Sequence, residues 1–269
     1  MKATLQSGIS LIELMIAMAL GLFLILGATQ IYIDNKKSYA FQQSQSENQE
    51  GSRYSLLFLQ QELAKSGYRR RPDENIESVF PAEVTAGCTF RAGETVNRDS
   101  ATSICIRYQP RDDKERDCMG NIVDSSLTTP YSKTANRIAQ KISFDSARNE
   151  ITCTRKINTT TTTTAAIVSG IVDLRFEYGV GNTVAPQTIS SFIKTAPSSS
   201  QPVLAVRYTG LFRSSNGKLR ESTTADTALA NWQALTGAST AELTAMKAAD
   251  NGNLYQVTQN TVTLRNRMP

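Results

Sequence analysis

The chain has 269 residues, 40% hydrophobic and 20% charged, a globular balance that excludes a collagen-like or wholly disordered polypeptide and leaves room for one sizeable core or two modest ones. It contains no histidine, so Ser/His/Asp or Cys/His catalysis, a His-ligated zinc and a histidine proton shuttle are excluded by counting. Its 29 Lys and Arg against 24 Asp and Glu leave +5, mild for the length and not gathered into a long basic tract, which argues against an obligate nucleic-acid partner.

The first element is apolar. Leu14 to Ile33 carries no charge, is bounded by Glu13 and Asp34, and is wholly apolar or glycine from Leu14 to Ala28. As a helix it spans about 30 Å, the thickness of a bilayer hydrocarbon core. Ala17-Met18-Ala19 lies inside the run and not at its end, so the segment reads as retained and not as an ordinary secretory signal. Lys2 on one side and Lys36 with Lys37 on the other leave orientation unset by charge.

Proline is absent until Pro72, which allows one helix from about Ile9 to Ser66, roughly 87 Å long. Asp34 to Arg53 is polar, whereas Tyr54, Leu57 and Phe58 with Leu56, Leu59 and Leu63 form two overlapping stripes that need a partner surface. The second half of this spine is therefore expected to pack on a domain. Lys65-Ser66-Gly67-Tyr68 predicts its end, with Gly67 left-handed and Tyr68 against Leu63 in a Schellman cap. Arg69 to Arg71 follow and are expected to complement the helix dipole or stay hydrated. Gly21, Gly27 and Gly51 are expected soft points or places of close packing.

Beyond Pro72 come short β-like runs: Ser103 to Tyr108, Arg137 to Phe144, Glu150 to Ile157, Ile171 to Tyr178, Val203 to Phe212 and Asn260 to Arg265. Leu174, Phe176 and Tyr178 alternate with Arg175 and Glu177, and Leu204, Val206 and Tyr208 with Ala205 and Arg207, the pattern of half-buried strands. Thr159 to Thr164 reads as an exposed loop or an edge strand, and Asn158-Thr159-Thr160 as a weak glycosylation sequon. The excursion 224–252 reads as helical: Ser239 and Glu242 make a capping box, Leu243 and Met246 share a face, and Asp250-Asn251-Gly252 stops it. Trp232, the single tryptophan, is expected to pack this piece onto a sheet, with a partner-facing anchor as the alternative. The charge run from Arg111 to Asp117 interleaves acids with cations and has no EF-hand order, so it reads as a solvated turn and not a Ca²⁺ site. No Gly-rich phosphate loop or G-x-S-x-G elbow occurs, and no cofactor or metal is expected. Cys88, Cys105, Cys118 and Cys153 include no C-x-x-C pair, which leaves two disulfides or four buried thiols, the former if the chain is exported.

The stretch Ser7-Gly8-Ile9-Ser10-Leu11-Ile12-Glu13-Leu14-Met15, behind a short leader whose one charged side chain is Lys2, resembles the class III signal of type IV prepilins and pseudopilins. That resemblance implies a leader 1–8 cut after Gly8 by a prepilin peptidase, N-methylation of Ile9, and an assembly role for Glu13. Ile9 departs from the usual Phe or Met. Leu63-Ala64-Lys65-Ser66-Gly67-Tyr68, Asp117-Cys118-Met119-Gly120, Ile151-Thr152-Cys153, Asp173 to Val180, Val203 to Arg207, Leu211 to Ser214 and Leu264 to Arg267 are similar, in order and content, to PilW-type minor pilins. The expected organisation is then leader 1–8, membrane or filament-core helix 9–33, periplasmic continuation 34–67 and a β-rich head 68–269, an α+β fold with a helical spine on an antiparallel sheet. The resemblance also implies a Cys118–Cys153 pair, leaving Cys88 with Cys105. It implies a low-abundance subunit that joins other minor pilins and the major pilin in a priming and tip complex, on an inner-membrane assembly platform and often with a large tip adhesin. The chain would sit in the bacterial inner membrane, head periplasmic, and then at the pilus tip, supporting motility and adhesion. A J-type pseudopilin of type II secretion shares these features and is the alternative; a tip module binding DNA or another ligand needs an exposed basic or aromatic cluster that the sequence does not locate. An anchored enzyme explains none of Gly8, Glu13, the apolar run or the cysteines.

Overall fold

The computed structural model describes residues 8, 10–158, 161–182, 184–220 and 226–267. Its first element, α1 (Leu11–Lys65), is a continuous helix of 55 residues, about 82 Å at the standard rise. It runs unbroken through Gly21, Gly27 and Gly51. A Cβ on Gly51 would sit 3.8 Å from the Phe212 ring, so that glycine is a point of contact with the sheet and not a soft point.

The helix does not end in the expected Schellman cap. Ser66 is extended (φ −52, ψ 130), Gly67 takes φ +74, and the Tyr68 amide donates to the Lys65 carbonyl at 3.0 Å, which makes Lys65–Tyr68 a type II turn. The Gly67 amide is taken by the Arg107 carbonyl at 3.0 Å, so a strand competes with the helix for it and wins.

The chain then forms α2 (Ile76–Val79), a hairpin of β1 (Glu83–Thr85) and β2 (Cys88–Phe90), and the strands β3 (Val96–Arg98), β4 (Ser103–Tyr108), β5 (Ile138–Asp145), β6 (Glu150–Ile157) and β7 (Thr163–Ser169). These last five make an antiparallel sheet in sequence order. A second antiparallel sheet has the order β11-β10-β8-β9, from β8 (Ile171–Val180), β9 (Ser191–Ile193), β10 (Val203–Arg213) and β11 (Tyr255–Thr263). The helices α3 (Asp226–Thr236) and α4 (Thr240–Ala248) are inserted between β10 and β11, and Arg265–Arg267 closes the described chain as a 3-10 turn.

The expected single sheet is therefore two sheets sharing one core. Phe58, Leu59 and Leu63 of α1 meet Ile104, Ile106, Ile142 and Ile151 of one sheet and Leu174, Phe176, Tyr178, Val206 and Tyr208 of the other. The alternation in β8 and β10 is what allows this, because a strand with one apolar face can lie between a core and a second layer. Gly179 is required by packing: an added Cβ would stand 3.0 Å from both Ala205 Cβ and the Phe192 ring.

The last expected strand, Asn260 to Arg265, is instead β11 from Tyr255 to Thr263, because its polar first half pairs with β10 and offers side chains to the spine. Of the threonine tract, Thr159 and Thr160 lie outside the described residues, and Thr163 opens β7, an edge strand. The two threonines of the sequon are those same positions, while its Asn158 is half-buried, with Nδ2 donating to Asn136 Oδ1 at 2.6 Å and Oδ1 accepting the Arg137 amide at 2.8 Å.

The excursion covers the outer face of the second sheet. Trp232 is fully buried with Val172, Leu211 and Leu229, while Leu243 and Met246 pack against this cluster; residues 221–225 lie outside the description. Trp232 Nε1 donates to Asp173 Oδ2 at 2.8 Å, and Arg175 bridges Asp173 at 3.0 Å to Glu242 at 2.5 Å. The expected capping box is formed, with Ser239 N donating to Glu242 at 2.8 Å and Glu242 N donating to Ser239 Oγ at 3.2 Å.

This polar seam makes docking acid-sensitive. The Arg175 hydrogen bond, with those from Ser239, holds Glu242 down to about 2, so its contribution is present above the usual carboxylate value and lost as pH falls from about 4.5 towards 2. Burial pushes Asp173 up, so its ionised form costs stability that falling pH relieves, opposing the Glu242 effect. Emission from the single Trp232 should stay that of a buried indole down to about pH 4 and shift red towards pH 2. Glu242→Gln should remove that step; an unchanged transition would assign acid sensitivity elsewhere.

Candidate functional site

The elements that could serve assembly lie along α1. At its start Ser10 is extended (φ −69, ψ 141), Gly8 is exposed, and Glu13 Oε2 accepts the Ser10 amide at 3.2 Å. One free amide of the first helical turn is thereby satisfied, and a carboxylate sits against the positive end of the helix dipole. Ile9 and the residues before Gly8 lie outside the described residues.

Beyond Glu13 the helix is long and apolar enough to cross a membrane, and none of the apolar window is covered by the rest of the chain. Leu11 is 77% exposed and Phe23 and Leu24 are each 75% exposed. A continuous apolar surface of this extent is a binding surface for lipid or for other helices.

The head grips α1 from Ser44 onward, earlier than the apolar stripes predict. Asn216 Nδ2 reaches Ser44 Oγ at 3.2 Å, Asn48 Nδ2 donates to the Leu254 carbonyl at 3.1 Å, and Gln256 Nε2 reaches Ser52 Oγ at 3.2 Å. Further along, Tyr208 OH donates to the Leu56 carbonyl at 2.7 Å, and Asn266 Nδ2 to the Ala64 carbonyl at 3.0 Å. The polar middle of the spine is thus half of an interface built from short Ser and Asn side chains. Tyr54 and Leu57, each 54% exposed, remain uncovered by this chain.

The cysteines pair as Cys88–Cys105 and Cys118–Cys153. The second bond lies in the shared core and fixes the 111–121 segment to β6, while the first ties the β1–β2 hairpin to β4 within a small cluster of Ala86, Phe90 and Ala139. The charge run is only partly the expected solvated turn. Asp112 and Lys114 follow that expectation, but Glu115 and Asp117 are buried. Asp117 accepts the amides of Met119 and Asn121 at 2.8 and 2.9 Å and pairs with Arg155 at 2.7 Å.

Next to it, Lys65 Nζ lies 2.7 Å from Glu62 and 3.5 Å from Glu115. With the Gln140 amide nitrogen facing the spine, it donates to Glu62 Oε2 at 2.9 Å and its oxygen accepts from Tyr108 OH and the Cys118 amide. Burial pushes Glu62 up, in excess of the lowering by Lys65.

Of the arginines after the helix, Arg69 and Arg71 stay partly exposed, as expected, and Arg70 does not. Arg70 is buried and donates to the carbonyls of Arg111, Thr129 and Ser132, while Arg71 pairs with Asp73 at 2.5 Å. Sequence reasoning also missed Arg107, which is fully buried and donates to the carbonyls of Phe80, Pro81, Arg91 and Glu94. Its alternation with Ile104, Ile106 and Tyr108 gives it the signal of a solvent-facing cation, and only the hairpin folded over it reverses that reading. Among the described residues, no group of three or more acidic or cysteine side chains could hold a metal ion.

Residues 139–266 match the family model described as Type IV Pilus-assembly protein W, and residues 4–29 match the prokaryotic N-terminal methylation motif. No curated protein matches the chain. Among solved structures, a type IV-like pilin from Thermus thermophilus aligns at 11% identity and TM-score 0.46, covering 81% of this chain and 96% of that one.

Proposed function

We propose, from the premise that this chain is a type IV pilus minor pilin, that it is a structural subunit of the priming and tip complex on which the pilus is assembled. The observation that carries the proposal is a prepilin motif at the mouth of an apolar helix that no part of the chain covers, continuous with the helix that bears the head. In this reading prepilin peptidase cuts after Gly8, Ile9 is N-methylated, and the chain waits in the inner membrane with its head in the periplasm. Two disulfides in the head fit an oxidising compartment. The assembly platform then moves it to the tip, where it meets other minor pilins, the major pilin and a large adhesin, in support of motility and adhesion.

Glu13 has a different partner before and after cleavage in this scheme. In the uncut chain its carboxylate accepts the Ser10 amide. Cleavage creates an amine at Ile9, and in a bundle of apolar helices that amine needs a counter-charge, which Glu13 of the same or an adjacent subunit supplies. Burying both ions costs much of what their attraction returns, while leaving one unpaired costs more, so the pair acts as a register device.

Intact mass spectrometry of the membrane-extracted protein should find 261 of the 269 residues and a methylated amine at Ile9. A mature terminus beyond Ala28 would refute the scheme. Glu13→Ala should leave export, cleavage and both disulfides intact while lowering co-purification with other minor pilins and the number of surface pili; wild-type values for both would reject an assembly role. A deletion strain scored for twitching and for protein secretion separates pilus assembly from the pseudopilin alternative.

A further inference from the structure

The four sulfurs are out of reach in the finished head. Cys88, Cys105, Cys118 and Cys153 are each no more than 6% exposed, with Cys105 in β4 between β3 and β5 and Cys153 in β6 between β5 and β7. A protein that oxidises thiols must bring its own sulfur into contact with the attacking one, so both bonds are made before the head closes. The open chain then faces a choice that loop entropy answers wrongly. The native loops span 17 and 35 residues, whereas Cys105 and Cys118 are 13 residues apart, and closing the 13-residue loop is favoured over the 35-residue one by about fourfold.

Residues 80–108 offer a way round that choice. Ala86 and Gly87, at φ +53 and +74, make the two-residue turn of the β1–β2 hairpin, which sets Cys88 opposite Thr85. β3 and β4 form a second hairpin, with Cys105 opposite Asn97. Arg107 binds the two together from partners that all precede it in the chain. Its guanidinium holds the carbonyls of Phe80, Pro81, Arg91 and Glu94, and its amide donates to the Thr95 carbonyl at 2.9 Å. The Gly93 amide closes the same unit on the Phe80 carbonyl at 2.8 Å. Residues beyond Tyr108 join what is already there: Ala139 packs in the Cys88–Cys105 cluster, and Arg137 lies 3.7 Å from Glu83.

We propose that the head is oxidised in chain order. Cys88–Cys105 closes on residues 80–108 while the rest of the chain is still crossing the membrane, and this first bond keeps Cys105 from Cys118. The inference rests on the membrane-anchored reading of α1, in which the residues beyond the anchor enter the oxidising compartment from the N-terminal side. A hairpin forms in about 1–10 µs, whereas the 13 residues between Cys105 and Cys118 take about 1–2 s to follow at the pace of synthesis. The partner in each step is a protein oxidant that carries a disulfide. The thiolate of one cysteine attacks that disulfide, forming a mixed disulfide and freeing one oxidant thiolate; the thiolate of the second cysteine then displaces the oxidant. The chain loses two electrons to the oxidant, and the two thiol protons end on its dithiol. Cys118–Cys153 needs the same reaction once β6 has crossed.

The test pulse-labels the full chain in cells, quenches it by alkylation and maps the bonds by peptide mass spectrometry. The first oxidised species should have Cys88–Cys105 closed with Cys118 and Cys153 alkylated. In cells lacking a disulfide isomerase, wild-type pairing should be unchanged, whereas Cys88→Ala should form Cys105–Cys118 over Cys118–Cys153 by about fourfold or more. Cys153→Ala should instead keep Cys88–Cys105 and leave Cys118 alkylated, because Cys105 is already taken. The readout is covalent, so it stands whether or not a variant folds. Cys118–Cys153 closing first, Cys105–Cys118 in the Cys153→Ala chain, or Cys118–Cys153 retained at wild-type level by Cys88→Ala would overturn the proposal. Four alkylated cysteines in the wild type at steady state would refute export itself, whereas a fully oxidised wild type that closes the bonds in the other order refutes this inference alone.

Discussion

Replacing Arg107 with methionine should destabilise the head by about 3–5 kcal/mol, the cost of removing one partner from a buried charged hydrogen-bond network. The guanidinium is fully buried and is the common donor for the carbonyls of Phe80, Pro81, Arg91 and Glu94, with the Phe80 and Phe90 rings 5.4 and 4.7 Å from its carbon. Burial pushes it down to about 10, which still leaves it a cation at neutral pH. Methionine fills similar volume but donates nothing, so the Pro81 and Glu94 carbonyls lose their partner, while those of Phe80 and Arg91 keep only the amides of Gly93 and Glu94. Arg107→Lys should recover part of the loss, since an ammonium restores the charge but not the planar fork. Urea unfolding of the full chain in detergent, with limited proteolysis of the segment between Tyr68 and Arg98, would measure both; a loss below about 1 kcal/mol for the methionine variant would mean that the carbonyls find other donors.

Removing the Cys118–Cys153 bond by paired alanine substitutions should cost about 4 kcal/mol, and removing Cys88–Cys105 about 3, since the loops closed are 35 and 17 residues. Either is a large share of the 5–15 kcal/mol that holds a typical domain together. The two losses should differ in character as well as size. Cys118 lies between Asp117, whose carboxylate closes the 117–121 turn, and β6, so its release should also loosen Glu115 from Lys65 at the end of the spine. Cys88 holds only the small β1–β2 hairpin, and its loss should leave Trp232 emission untouched. Urea midpoints of both variants decide the order, and a greater loss for the shorter loop would show that native packing around Cys105 outweighs chain entropy.

Much of the molecule was legible in short stretches. Five of the six expected strands fall within two residues of β4, β5, β6, β8 and β10 at both ends, and the helix runs from Leu11 to Lys65 against an expected Ile9 to Ser66. These elements announce themselves because alternation and helical stripes are local patterns that one face of a core imposes. The short strands β1, β2, β3 and β9 escaped notice, each being three residues long and too brief to carry a period. The start of β11 escaped because Tyr255 to Gln259 is mixed in polarity, its role being to pair with β10 and offer side chains to α1.

For the candidate assembly elements, the amino-acid sequence by itself determined the motif around Gly8 and Glu13, the apolar run and the continuous spine, because charge, proline and hydrophobicity act over neighbouring residues. Tertiary structure alone decided that Arg107 and Arg70 are buried, that Gly67 gives its amide to a strand, and that the core lies between two sheets. Each of those outcomes depends on a partner tens to hundreds of residues away. A donor, a charge or an amide is indifferent to its own neighbours once the fold brings a better-placed acceptor into contact with it.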